Sequence, residues 1–234
     1  MSQLNCNILS WKVRGLNEVA RRDSVQELIR DTGSTIVCLQ ETKIESWSPS
    51  LLQEALGPDL ATQSLFLPAN GISGGVILAA SERLFTLQFL HTTAHTISAN
   101  VTLLADGVSW TITGVYGPQS DSDKIAFLTE LSALKPIVSQ AWMALGDYNL
   151  ICSAQDKCND RINIHMIQRF TRVLDDLQLH ELTLHGQRFT WSNGQDSPTM
   201  TKIDHVFVSI EWVDLFPNYD LQAVASLGSD HSSL

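Results

Sequence analysis

LGDYNL, residues 145–150, follows directly on the apolar run Trp142 to Ala144. The two together read as a buried strand that delivers polar residues at its end. Residues two apart on a strand share a face, so Asp147 and Asn149 point together while Tyr148 turns to the other side. A carboxylate beside a carboxamide suits phosphate chemistry: the first accepts a proton or holds a hard cation, and the second donates to an oxyanion. A strand closing in an ordinary Asx turn would leave the same letters, so the remainder of the chain decides between the two.

With 234 residues and no Pro/Gly/Ser-rich or charged linker, the chain reads as one domain with a sizeable core. A hydrophobic content of 44% with 17% charged residues excludes wholesale disorder. No apolar run approaches a membrane span, and MSQLNCNILSW lacks a basic leader and cleavage site, so the default expectation is an intracellular, soluble protein. Cys6, Cys38, Cys152 and Cys158 are scattered and read as buried or free thiols rather than disulfides or zinc ligands. The net charge of −10 is unusual for a nucleic-acid binder, so affinity for a phosphate chain would need local basic patches or a bound metal.

Around the central stretch the elements fall in order. Leu4, Cys6 and Ile8 alternate with asparagines and lead through Trp11 into a turn at Gly15; Val25, Leu28 and Ile29 have helical spacing, with Gly33 as the stop. A strand from Thr35 to Leu39 ends in Gln40, Glu41, Thr42 and Lys43, and Ser48 before Pro49 starts a short helix to Leu56. GISGG at 71–75 opens the apolar run Val76 to Ala80 and reads as a turn, since no Lys-Ser/Thr pair follows to make a phosphate loop. Strands are expected over Phe85 to Leu90 and Ile97 to Leu104, and Ala105, Asp106 and Gly107 turn the chain into Val108 to Val115. Asp121 or Ser122 caps a helix closed near Pro136, and Asn163 caps another carrying Ile167, Phe170, Leu174 and Leu177. Strands at Phe189 to Trp191 and Ile203 to Ser209, a helix to Phe216, and a last segment Leu221 to Ala225 complete the reading. Hairpins between helices favour mixed sheets over a doubly wound one.

Strand after strand thus ends in a group able to serve phosphate or metal: Glu41, Tyr116, Asp147 with Asn149, Asp204, and Asp230 with His231. Singly each has a plain explanation, as a solvated loop acid, a rim aromatic or a terminal histidine. Their order carries more. The succession LQET, VYGP, GDYN, IDHVFVS and SDHSSL resembles the endonuclease/exonuclease/phosphatase superfamily, and LSWKVRGLN, IVCLQETK, SGGVIL, GVYGPQ and RFTWSNG are most similar to the endonuclease domain of plant LINE-type retrotransposons.

The resemblance implies an α/β fold, a four-layer sandwich of two packed mixed β-sheets flanked by helices, with the site at one edge. It also implies roles: Glu41 as the main ligand of Mg²⁺ or Mn²⁺, Asp147 orienting or deprotonating the attacking water, and Asn149 and Tyr116 contacting the phosphate. Asp204 would hold a protonated His231, with Asp230 near the metal or leaving oxygen. The implied reaction is in-line attack of water on a phosphodiester, most simply the nicking of one DNA strand, with RNA or a phosphoinositide as the alternative substrate. Retroelement origin would imply a nuclear location and a downstream reverse transcriptase.

The sequence departs from the pattern at three places. Lys12 stands where family openings carry asparagine; it either competes with the cation at Glu41 and lowers activity, or swings to solvent, and with the acidic balance it argues for the alternative of an impaired relic that only binds nucleic acid or does nothing. Thr201 stands near an aromatic of abasic-site repair members, which argues against a dedicated abasic pocket. The chain also stops where a final strand is expected. Arg14, Arg21, Arg22, Lys43 and Lys202 are candidates for a DNA-facing patch, although scattered solvated cations are the simpler reading.

Overall fold

In the computed structural model, residues 6–71, 73–224 and 229–234 are described. The chain runs β1 (Ile8–Lys12), α1 (Val19–Thr32), β2 (Ile36–Gln40), α2 (Pro49–Leu56), α3 (Pro58–Ala61), β3 (Ser64–Asn70), β4 (Ser73–Ala80), β5 (Phe85–Thr92), β6 (Thr96–Leu103) and β7 (Ser109–Tyr116). It continues through α4 (Asp121–Ser132), β8 (Trp142–Asp147), a 3-10 turn at Ala154–Asp156, α5 (Ile164–Leu177), β9 (His180–Glu181), β10 (Leu184–His185), β11 (Trp191–Ser192), β12 (Met200–Thr201), β13 (Asp204–Val208), α6 (Ile210–Leu215) and β14 (Leu221–Gln222). The expected beginning at Leu4, Ile72 of the glycine turn and the expected end at Ala225 lie outside the described residues.

Two mixed sheets form the centre, one ordered β1-β2-β4-β3 and the other β5-β6-β7-β8-β13-β9. Their strands are apolar on both faces because both faces are covered. In β2, Ile36 and Cys38 join the core between the sheets while Val37 and Leu39 pack under α1 and α2; in β8, Met143 and Leu145 face inward while Trp142 and Ala144 meet α4 and α5. Helix, sheet, sheet, helix is the four-layer sandwich that the resemblance implies. Each side chain's layer is therefore set by its parity along the strand, and a slip of one residue would reverse every one.

The helix ends follow the sequence signals. Gly33 takes the left-handed conformation (φ 60) after α1, and Ser48, Asn163 and Ser209 accept from the backbone amides of Leu51, Met166 and Trp212. Helix α4 begins at Asp121 with Ser120 as its cap residue, one position before the expected cap. Strand β3 was not evident in the sequence, because Pro68 interrupts its pattern; it lies at the sheet edge, where a missing N–H costs little. Past SDH, Leu234 exchanges backbone hydrogen bonds with Ser10 of β1 at 2.7 and 2.8 Å.

Behind the inter-sheet core, β13 and β9 carry a buried charged pair that the sequence did not suggest. The His205 Nδ1 lies 2.6 Å from Glu181 Oε1, its Nε2 2.9 Å from the Leu150 carbonyl, and Lys202 Nζ 2.8 Å from the same glutamate oxygen. Burial opposes the charged imidazole, but Cys152 and Glu181 outweigh it and hold His205 well above its ordinary 6.5. Burial likewise opposes the Glu181 carboxylate, yet His205 and Lys202 bring it down from 4.5 to about 2.

The carboxylate's contribution to stability is complete above 4.5 and is lost as pH falls toward 2; the imidazolium's is complete below 6.5 and is lost as pH rises through its raised value. Glu181→Gln should therefore destabilise the protein most between these limits, by about 2 kcal/mol. Urea unfolding of both proteins across the pH range measures it, and the gap should narrow on each side.

Candidate active site

The same parity that builds the inter-sheet core places the polar groups. On β8 the inward positions are Met143, Leu145 and then Asp147; on β13 they are Val208, Val206 and then Asp204; on β7, Trp110, Ile112, Gly114 and then Tyr116. Register aligns the ends, since Tyr116 pairs with Asp147 and Asp147 with Asp204 across adjacent strands. Opposite them, Ile8, Ser10 and Lys12 occupy the inward face of β1, and Glu41 follows β2. The site is thus the charged end of the core, opening into a notch of about 510 Å³.

Glycine makes the closest approach possible. At Gly146 φ is 137, and a Cβ there would lie 2.1 Å from the Val115 carbonyl oxygen. Gly146→Ala should cost about 2–3 kcal/mol, read as a lowered urea midpoint; an unchanged midpoint would show that β7 and β8 can part without consequence.

Asp147, fully buried, receives Lys12 Nζ at 3.0 Å on Oδ2 and the Asn149 amide N–H at 2.9 Å on Oδ1. Asn149 is not on the strand, as expected, but in a left-handed turn just past it (φ 51). Its Nδ2 donates to the Gly117 carbonyl at 2.8 Å and to Asp147 at 3.3 Å, so both amide hydrogens are engaged, while the Asn149 backbone amide closes an Asx-type turn on the Asp147 carboxylate. Burial and the like charge of Asp204 push Asp147 above the ordinary aspartate value, against Lys12 and His231.

Asp204 Oδ2 lies 2.7 Å from His231 Nδ1. Burial opposes a charged His231, but Asp204 outweighs it and raises the imidazole above 6.5. The Thr190 hydroxyl accepts from the Asp204 amide, while Ser229 receives the His231 amide and donates to the Lys12 carbonyl at 2.8 Å. Asp230 stands at the rim, accepting from Trp191 Nε1 at 3.0 Å and facing Arg14 at 3.4 Å.

Glu41 has φ 54 and Lys43 φ 56, and with Arg14 and Asn149 they are four of the five non-glycine residues of positive φ among the described residues. Such strain gathers where side chains are aimed rather than packed. Carbonyls of Gly74 and Gly75 hold the segment by receiving the Lys43 and Thr42 amides. Glu41 Oε1 meets Lys43 Nζ at 3.0 Å; its Oε2 meets Lys12 Nζ at 3.3 Å and the Tyr116 hydroxyl at 3.1 Å. Burial works against the Glu41 carboxylate, but Lys43 and Lys12 lower it overall.

Of the two courses left open for Lys12, the structure takes the inward one. Its side chain is 6% exposed and spans Glu41 and Asp147, with the ammonium 5.4 Å from the centre of the Tyr116 ring. Burial would lower the ammonium's affinity for its proton; Asp147, Tyr116 and Glu41 reverse this and hold it above the lysine norm.

Among the candidates for a basic patch, Arg22 is buried, bonded to the Leu16 and Asn17 carbonyls and Glu54, and Lys202 serves Glu181; neither faces the notch. Arg14 does line it, joined by Lys124, Lys157 and Arg161, which the sequence reading passed over because they lie in loops and on a helix with no motif.

The family model described as the Endonuclease/Exonuclease/phosphatase family matches residues 9–231. The chain belongs to that family. An exodeoxyribonuclease of Bacillus subtilis (strain 168) is 24% identical over 252 residues, covering 96% of each chain. The endonuclease domain of TRAS1, a telomere-specific non-LTR retrotransposon, superposes with a TM-score of 0.72 at 14% identity, covering 98% of this chain and 96% of that one. D. rerio TDP2, complexed with a single-strand DNA product, gives 0.59 at 15% identity over 97% and 96% of the chains. A mannosyl-6-phosphatase of Bacteroides thetaiotaomicron gives 0.61 at 15% over 98% and 97%. These structural likenesses carry the fold.

The family generally depends on a divalent metal. Here the ligand atoms of Asp147, Asp204 and His231 lie within 4.8 Å of one another and could hold an ion. The Glu41 corner does not fit one as built, because both of its carboxylate oxygens face ammonium groups.

Proposed function

We propose that this chain is a phosphodiesterase of the nuclease branch of its family, acting on a DNA strand at the notch described above. The observation that carries the reading is the meeting, at one end of the core, of the Asp204–His231 pair and the Asp147–Asn149 turn. Asp147, lifted by burial and by Asp204, is placed to orient a water and take its proton as the water attacks phosphorus in line. His231, whose charged form Asp204 favours, offsets charge gathering on the phosphorus oxygens. Tyr116 supplies a hydroxyl beside Asp147 on the same sheet, and Lys12 an ammonium from the facing one.

Lys157 and Arg161, with Arg14 paired to Asp230 and Lys124 to Asp121, give the notch on this acidic protein a net supply of cations, which supports a polyanionic strand over a small phosphate ester. DNA is favoured by the relative named as an exodeoxyribonuclease and by the fold neighbours, a retrotransposon endonuclease domain and a DNA-bound TDP2. A retroelement origin would place the protein in the nucleus beside a reverse transcriptase.

Supercoiled plasmid, single-stranded RNA and inositol phosphate, assayed side by side with Mg²⁺ and with chelator, test the substrate. Nicking of the plasmid is expected, reduced by at least about 100-fold in Asp147→Asn and in His231→Ala. Turnover of inositol phosphate alone would move the protein to the phosphatase branch. Loss of all three activities in a folded protein would leave a nucleic-acid-binding relic.

A further inference from the structure

Clustered carboxylates at a phosphate site need positive charge, and in this notch each of the four has a cationic side chain of its own. Glu41 has Lys43 and Lys12 at 3.0 and 3.3 Å, Asp147 has Lys12 at 3.0 Å, Asp204 has His231 at 2.7 Å and Asp230 has Arg14 at 3.4 Å. Lys12 is the keystone of the set, since its single ammonium bridges the two carboxylates that come from different sheets. Strand parity gives it no other course: Leu9 and Trp11 of β1 face the helices, so Lys12 must face the other sheet, and the chain around it leaves the side chain buried.

We propose that Lys12 is a tethered cation that takes the place of a divalent ion between Glu41 and Asp147, so that this junction is built without metal and excludes Mg²⁺ and Mn²⁺. A divalent ion entering there would meet an ammonium at contact distance from the oxygens it needs, and Lys43 on the remaining oxygen of Glu41. A carboxylate oxygen can turn a second lone pair toward a metal, but the repulsion between the ion and two adjacent ammonium groups in a buried corner remains. That the ammonium then faces a phosphate rests on the function proposed above; its occupancy of the junction does not.

The test reads metal binding and stability rather than turnover, so it stands whether or not DNA is cleaved. Mn²⁺ titration followed by electron paramagnetic resonance, with thermal unfolding in Mn²⁺ and in chelator, is run on the wild type, Glu41→Gln, Lys12→Asn and the double variant Lys12→Asn/Glu41→Gln. The wild type should show no Mn²⁺ site that depends on Glu41, and its Tm in Mn²⁺ relative to chelator should be the same with and without Glu41→Gln. Lys12→Asn should unfold at a lower temperature in chelator, bind Mn²⁺ at least about 10-fold more tightly than the wild type, and recover roughly 5 °C at saturating Mn²⁺; the double variant should lose that gain. Should Lys12→Asn fail to fold, Lys12→Gln, which keeps more of the side chain's volume, takes its place. Mn²⁺ binding to the wild type that is lost on Glu41→Gln would overturn the proposal, as would a folded Lys12 variant with no gain in Mn²⁺ affinity.

Discussion

A carboxylate withdrawn wholly from water must be compensated where it lies, and Asp147 is such a group. Stripping a buried pair of one partner costs about 3–5 kcal/mol, a large share of the stability of any domain. The donors gathered on Asp147 come from β1 and from the turn after β8, and the charge of His231 offsets the like charge of Asp204 beside it, so meeting this one requirement ties both sheets and the last loop to a common point. The geometry of the notch follows from it: the sheets must stack in the register that brings Lys12 over Asp147, and Glu41 must turn back into a strained conformation to share the same ammonium.

Most of this was legible in the letters because a strand buried on both faces writes its parity plainly. Met143, Leu145 and Asp147, or Val206 and Asp204, announce a charged residue at the end of an apolar row, and the order of the rows supplies the family. The helix limits were legible through Gly33, Ser48 and Asn163 for an equally local reason. What escaped is what depends on neighbours remote in sequence. His205 looked like a strand residue of no consequence until Glu181 and Leu150 came beside it. Arg22 looked exposed until the turn after β1 brought carbonyls to its guanidinium.

Asn149 and Lys12 show a subtler limit. The sequence placed Asn149 by strand alternation, and the residue arrives in the right place by a different route, a left-handed turn that also spends its donors on Asp147 and Gly117. For Lys12 the letters allowed two outcomes, and only the packing around it and the two carboxylates it meets, which leave the residue 5% exposed at the inner end of the notch, separate them. The cations lining the notch are a third instance: Lys124 sits on α4, and Lys157 and Arg161 in the loop before α5, so their proximity is a product of the tertiary fold.

The hydrogen bond from Ser229 to the carbonyl of Lys12 joins positions 217 apart. Closing so large a ring costs entropy that contacts elsewhere must offset, and it needs both ends of the described sequence present at once. A chain still emerging during synthesis can therefore stack its sheets while its acids lie apart from the imidazole. Any hydrolytic capacity the molecule has is silent until the whole chain has come together.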